Sequence, residues 1–105
     1  MAIPEVSVDE LAELLASDPS TRLIDVREPD EYAEARVPGA VLVPLGTVPD
    51  NVDAFRGDGP VYVICARGGR SLKAAEYVAE EGIEAINVAG GTLAWIDAGH
   101  RVDAG

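Results

Sequence analysis

Pro60-Val61-Tyr62-Val63-Ile64, running into Cys65-Ala66-Arg67-Gly68-Gly69-Arg70-Ser71, is the stretch that decides the fold. Its first segment is β-branched and aromatic, and apolar at both alternating sets of positions. A strand of that kind is covered on both faces, as a central strand of a parallel sheet is. From about Arg70 to Glu81 the pattern becomes helical. Leu72, Ala75, Val78 and Ala79 are expected inward and Lys73, Glu76 and Glu80 outward, with Gly82 closing the helix. A buried strand, a glycine-rich loop and an amphipathic helix in succession make one unit of an α/β domain.

The flanks repeat the alternation. Ser7-Val8-Asp9-Glu10 has capping-box spacing, Val8, Leu11, Leu14 and Leu15 share a helical face, and Asp18-Pro19 stops that helix. Leu23 to Val26 predicts a buried strand. Glu28-Pro29-Asp30-Glu31 opens a short helix, with proline in the first turn and acids at the positive end of the dipole. Pro38-Gly39 marks a turn, Ala40 to Val43 a brief strand, and Pro49 to Phe55 one or two helical turns. Ala85 to Val88 predicts a further strand. Gly90-Gly91 turns the chain into a last helix reaching about Ala98, with Gly99 as its stop. The expected fold is α/β, with a mainly parallel central sheet and helices on both faces. No repeat or long linker divides the 105 residues, so residues 1–105 form one domain with its core at about 5–100.

Composition narrows the function. Hydrophobic residues make up 48% and charged residues 26%, the balance of a soluble globular chain. No apolar run is long enough to cross a membrane, and no signal peptide is visible at the N-terminus. Nineteen acidic residues against eight basic ones give a net charge of −11, which argues against nucleic acid and anionic membranes as partners. Solubility explains that excess more simply than adaptation to high salt. A single cysteine excludes an internal disulfide and suits a reducing, cytoplasmic setting. One cysteine and one histidine also fall short of a usual four-ligand metal site, and no cofactor is expected.

That cysteine stands where chemistry is expected. Ligands bind at the carboxyl ends of strands in open α/β sheets. Two glycines let the loop curl so that successive N–H groups converge, the following helix adds its positive end, and Arg67 and Arg70 add formal charge. Each effect favours thiolate over thiol. The plain alternative, a buried apolar cysteine, has no need of two glycines and two arginines close by. Four residues separate Cys65 from Arg70. Cysteine phosphatases have one residue more in this gap, making a wider ring for a phosphoryl group.

These segments resemble the rhodanese-like domains, specifically the single-domain sulfurtransferases. Cys65-Ala66-Arg67-Gly68-Gly69-Arg70 is similar to their six-residue active-site loop, and Ser71 to the serine that follows it. Asp25-Val26-Arg27-Glu28, Val37-Pro38-Gly39-Ala40 and Gly90-Gly91 with Trp95 resemble three further motifs, in the family's order. The resemblance implies a doubly wound fold and transfer of a sulfane sulfur through a Cys65 persulfide. The donor would be thiosulfate or a persulfide, and the acceptor cyanide or a thiol, including a protein thiol. Arg67 replaces a common serine, which should favour a dianionic donor. Arg36 replaces a histidine whose role cannot be carried over.

Around Cys65 and the loop Ala66, Arg67, Gly68, Gly69, Arg70 and Ser71, three residues are expected to support the site. Asp25 is expected to accept hydrogen bonds that fix the loop. Arg27 is expected to line the rim or pair with Glu28 or Glu31, and Arg36 to lie nearby. Arg70 is expected to orient the loop through carbonyls or a carboxylate, whereas Arg67 faces either substrate or solvent. His100 is expected at the surface, and Trp95 packs the last helix. Two alternatives to the enzyme are a non-enzymatic sulfur-relay or docking module and, ranked lowest, a small phosphatase or arsenate reductase. The last lacks a second cysteine to resolve an intermediate.

Overall fold

The computed structural model describes residues 2–105. In chain order the elements are β1 (Glu5–Val6), α1 (Val8–Ser17), β2 (Arg22–Asp25), α2 (Pro29–Glu34), β3 (Val41–Leu42), two 3₁₀ segments (Leu45–Asp50 and Val52–Phe55), β4 (Val61–Ile64), α3 (Gly69–Glu80), β5 (Ala85–Val88) and α4 (Gly91–Asp97). The strands form one sheet in the order β1-β5-β4-β2-β3. Every pairing in it is parallel.

β4 is central, and all four of its residues are buried. Its side chains divide by the two-residue period of a strand. Val61 and Val63 join Val26, Phe55, Ala75 and Val78 in one core, under α3 and the 3₁₀ segments. Tyr62 and Ile64 join Val8, Leu11, Leu23 and Trp95 in the other, under α1 and α4. Cys65 continues the first set, so its side chain turns toward α3. Burying two faces at ~25 cal/mol per Å² of apolar surface is what drives this layered arrangement.

Register puts the strand ends level. Asp25 pairs with Ile64, and Asn87 pairs with Val63 on one side and Glu5 on the other. The chain therefore leaves β2, β4 and β5 along one edge, where Asp25 to Arg27, the Cys65 loop and Gly90-Gly91 meet. The capping box before α1 forms as expected: Glu10 N–H donates to Ser7 Oγ at 3.1 Å, and Ser7 N–H to Glu10 Oε1 at 2.9 Å. Gly82 closes α3 at φ +84°.

Several details differ from the sequence expectation. The buried face of α3 comprises Ser71, Ala74, Ala75 and Val78, while Leu72 and Ala79 are only partly buried. The close approach of helix to sheet favours small residues on the contact line and moves Leu72 to its border. β3 is only Val41–Leu42, and the 3₁₀ turns begin at Leu45 rather than Pro49. β1 was not expected, since two residues carry no periodicity and only pairing to β5 makes them a strand.

Candidate active site

Cys65 follows β4 directly and is 1% exposed. Gly68 adopts φ +106°, the left-handed region that favours glycine, and caps α3. That turn brings the Gly68 N–H to 3.1 Å from the Cys65 sulfur. The Ser71 hydroxyl, one turn into α3, lies 3.3 Å from the same atom. Burial pushes the Cys65 thiol up, but donors from Ser71, Gly68 and Arg67 outweigh it and leave the thiol below its ordinary value. The loop thus favours an anion on sulfur, as its glycine content suggested.

The carbonyl side of the loop is held by the next helix. Thr92 N–H and Oγ1 both donate to the Cys65 carbonyl, at 2.8 and 3.1 Å, and Leu93 N–H donates to the Ala66 carbonyl at 3.0 Å. These N–H groups belong to the first turn of α4, which has no partners within its own helix. Gly91 permits the approach: at φ +63°, a Cβ there would lie 2.5 Å from the Cys65 and Ala66 carbonyl oxygens. With the loop carbonyls engaged by α4, the Gly68 N–H is free to serve the sulfur.

Arg70 spans from the loop to α2. Its two terminal nitrogens donate to the two Glu31 carboxylate oxygens at 2.8 and 2.9 Å. Arg70 holds the Glu31 carboxyl down at about 2, with help from the Glu28 N–H. Glu31 in turn raises Arg70 further above its ordinary value. The carboxylate partner expected for Arg70 is therefore Glu31, which the sequence offered as a first-turn acid and as a candidate partner for Arg27 instead.

Asp25 differs from expectation, while Arg27 lines the cleft beside the loop as expected but has a different ion partner. Asp25 is fully buried but does not bind the Cys65 loop. Its carboxylate accepts from Arg27 Nε at 3.0 Å, Arg27 Nη2 at 2.8 Å and the Arg27 backbone N–H at 3.0 Å. Arg27 is thereby paired with Asp25 rather than with Glu28 or Glu31, and Nη2 also donates to the Ala35 carbonyl at 2.7 Å. A fully buried carboxylate needs a cation at its own depth, and Glu28 is exposed. Arg36 donates to the Tyr32 and Gly105 carbonyls and lies over the Tyr32 ring, and among the described residues it makes no hydrogen bond to the loop. Arg67 is exposed, and its side chain has no hydrogen-bond partner among the described residues.

A cleft of about 240 Å³ opens beside the loop, lined by Arg27, Glu31, Glu34, Ala35, Ala66, Thr92, Leu93 and Ile96. Leu93 and Ile96 are 45% and 44% exposed there. Sequence reading missed this apolar rim, because α4 was read only for its packing face. It also missed Asn87, a buried polar residue inside an apparently apolar strand. Trp95 does pack α4 inward, at 5% exposure, and His100 pairs with Asp9 at 2.8 Å, at the surface.

Comparison with known proteins agrees with this geometry. The family model "Rhodanese-like domain" matches residues 7–98. The chain is 38% identical over 95 residues to YtwF of Bacillus subtilis, whose name assigns it provisionally as a sulfurtransferase. That match covers 90% of this chain and 92% of YtwF. It is 30% identical over 94 residues to a protein of Allochromatium vinosum named "Sulfurtransferase", covering 89% of this chain and 88% of that one. A crystal structure of a rhodanese-like domain protein from Staphylococcus aureus superposes with a TM-score of 0.88 at 36% identity. It covers 98% of this chain and 99% of that one. The chain belongs to the rhodanese-like domain family.

Proposed function

We propose that the protein is a sulfurtransferase in which Cys65 carries the transferred sulfur, taking it from thiosulfate or a persulfide. The observation that carries this reading is the sulfur itself, buried at the end of β4 and facing the Gly68 N–H and the Ser71 hydroxyl. The Cys65 thiolate attacks the outer sulfur of thiosulfate. An S–S bond forms, the donor's own S–S bond breaks, and sulfite leaves with that electron pair. An acceptor nucleophile then attacks the outer sulfur, and Cys65 departs as thiolate. Cyanide gives thiocyanate, and a thiol gives a persulfide. The two half-reactions share one site and proceed by ping-pong.

Fixed donors around the sulfur act in both halves, since each begins or ends with an anion there. Arg67, exposed and unpartnered among the described residues, supplies a free positive charge for a dianionic donor in this reading. With no second cysteine in the chain, the carried sulfur leaves to an external acceptor. Incubation with thiosulfate and cyanide tests the reading: thiocyanate should accumulate with the wild type and not with Cys65→Ser. Equal rates for the two would sink it.

A second reading, a sulfur relay to a protein acceptor, is favoured by Leu93 and Ile96 at the cleft mouth. Exposed apolar side chains beside a buried nucleophile suit a docking surface more than a small ion. A persulfide adduct seen by intact mass, with negligible turnover to cyanide, would favour the relay. The phosphatase reading is disfavoured by the loop, which is one residue short of a phosphatase cradle.

A further inference from the structure

Ser71 has one hydroxyl hydrogen and two acceptors. Its oxygen lies 2.6 Å from Asn87 Oδ1 and 3.3 Å from the Cys65 sulfur. All three residues are buried, at 0%, 1% and 1% exposure for Ser71, Asn87 and Cys65. The orientation of the Asn87 amide follows from its other end. Nδ2 lies 2.8 Å from a Glu5 carboxylate oxygen and 3.2 Å from the Gly68 carbonyl, and neither of these can donate. The amide nitrogen must face them, so the amide oxygen faces Ser71. A chain of contacts thus runs from Glu5 on β1, through Asn87 on β5 and Ser71 on α3, to the nucleophile.

We infer that Asn87, oriented by Glu5, is a positioning residue that competes with the Cys65 thiolate for the single hydroxyl hydrogen of Ser71. This rests on the role proposed above for Cys65. With Cys65 as a neutral thiol, S–H can donate to Ser71 and Ser71 to Asn87, and every group is satisfied. Once the thiol loses its proton to solvent, the sulfur keeps the Gly68 N–H but competes with the amide oxygen for the Ser71 hydrogen. One buried acceptor is then left short, which disfavours the bare thiolate. In the persulfide the charge moves to the outer sulfur, so Ser71 can return its hydrogen to Asn87. The competition therefore raises the free energy of the unloaded thiolate relative to both the thiol and the loaded state. A less stabilised thiolate is also the better nucleophile.

The other charged groups near the loop, Arg67 apart, have their own partners. Arg70 of α3 is paired with Glu31 of α2, and Asp25 with Arg27 after β2. Arg67 in the loop is exposed, and Glu5 of β1 is the carboxylate that touches the Asn87 chain.

The test is the pH dependence of Cys65 alkylation by iodoacetamide, which needs no sulfur donor. In Asn87→Ala the alkylation midpoint should fall by about one pH unit, or about tenfold more thiolate on the acid side. Ser71→Ala should raise the midpoint, because it removes a donor to the sulfur. The double variant should match Ser71→Ala alone. Asn87→Leu keeps volume, lacks the acceptor, and should reproduce the fall if the alanine variant does not fold. An unchanged or raised midpoint on replacing Asn87 overturns the inference. So does a fall that persists without Ser71, which would mean Asn87 acts through the loop backbone. Loading with thiosulfate, followed by intact mass, separately reports on the sulfur-carrier role: a protein that alkylates as expected but takes up no sulfur refutes that role and leaves the coupling standing.

Discussion

At the residue scale, the cost of burying charge governs Asp25 and Arg27. Asp25 has no exposed surface and Arg27 is 5% exposed, and among the described residues each is the other's one salt-bridge partner. Removing one leaves the other buried and uncompensated, which typically costs about 3–5 kcal/mol. Asp25→Ala should therefore consume much of the ~5–15 kcal/mol that a domain has in total. Chemical denaturation checks this, and a loss below ~1 kcal/mol would contradict it. Glu31 behaves differently, because it is partly exposed and paired to Arg70. Its folded value of about 2 lies below the ordinary 4.5, so its stabilising contribution is fully present above 4.5 and fades as pH falls toward 2. Glu31→Gln should lower Tm at neutral and alkaline pH and flatten its fall over that acid window. An unaltered acid slope would show that Arg70 gains nothing from the pair.

At the element scale, α4 acts as a clamp on the loop. Its first N–H groups would otherwise lack partners, and here they bind the Cys65 and Ala66 carbonyls. Gly91 and Gly99 separate two contributions that glycine can make. Both have positive φ, but only Gly91 faces backbone atoms at 2.5 Å, whereas Gly99 has open space. Gly99→Ala should show backbone strain alone, about 1 kcal/mol. Gly91→Ala should exceed that, since the loop or α4 must move, and it should also slow Cys65 alkylation at neutral pH. Denaturant midpoints together with alkylation rates distinguish the two. Equal destabilisation by both substitutions would remove the clamp argument.

At the scale of the whole molecule, a net charge of −11 on 105 residues opposes compaction by self-repulsion. Salt screens such repulsion, with a Debye length of ~10 Å at 0.1 M. Tm should therefore rise by several degrees as sodium chloride increases from about 0.01 to 1 M. A flat or falling Tm would mean that the ion pairs lost to screening matter more than the excess of acid.

Local pattern determined a good deal of this protein. The buried run at Val61 to Ile64, the capping box at Ser7 and Glu10, and the helical stretch after Gly69 each express an intrinsic two-residue or 3.6-residue period, which does not depend on distant residues. The candidate loop was legible for the same reason, since Cys65, Gly68, Gly69 and Ser71 lie within seven positions and the turn that assembles them is local. Partnerships across the chain were not legible. Glu31 with Arg70, Asn87 with Ser71 and Glu5, and the α4 N–H groups with the Cys65 carbonyl join segments 16 to 82 residues apart. The Asp25 carboxylate, a candidate support for the loop by sequence, is taken up by Arg27 instead. Sequence pattern dictates which residues are buried and which elements form, because those follow from backbone period and apolar area. Which polar group meets which is decided by strand order and register, and these exist only once the sheet has assembled.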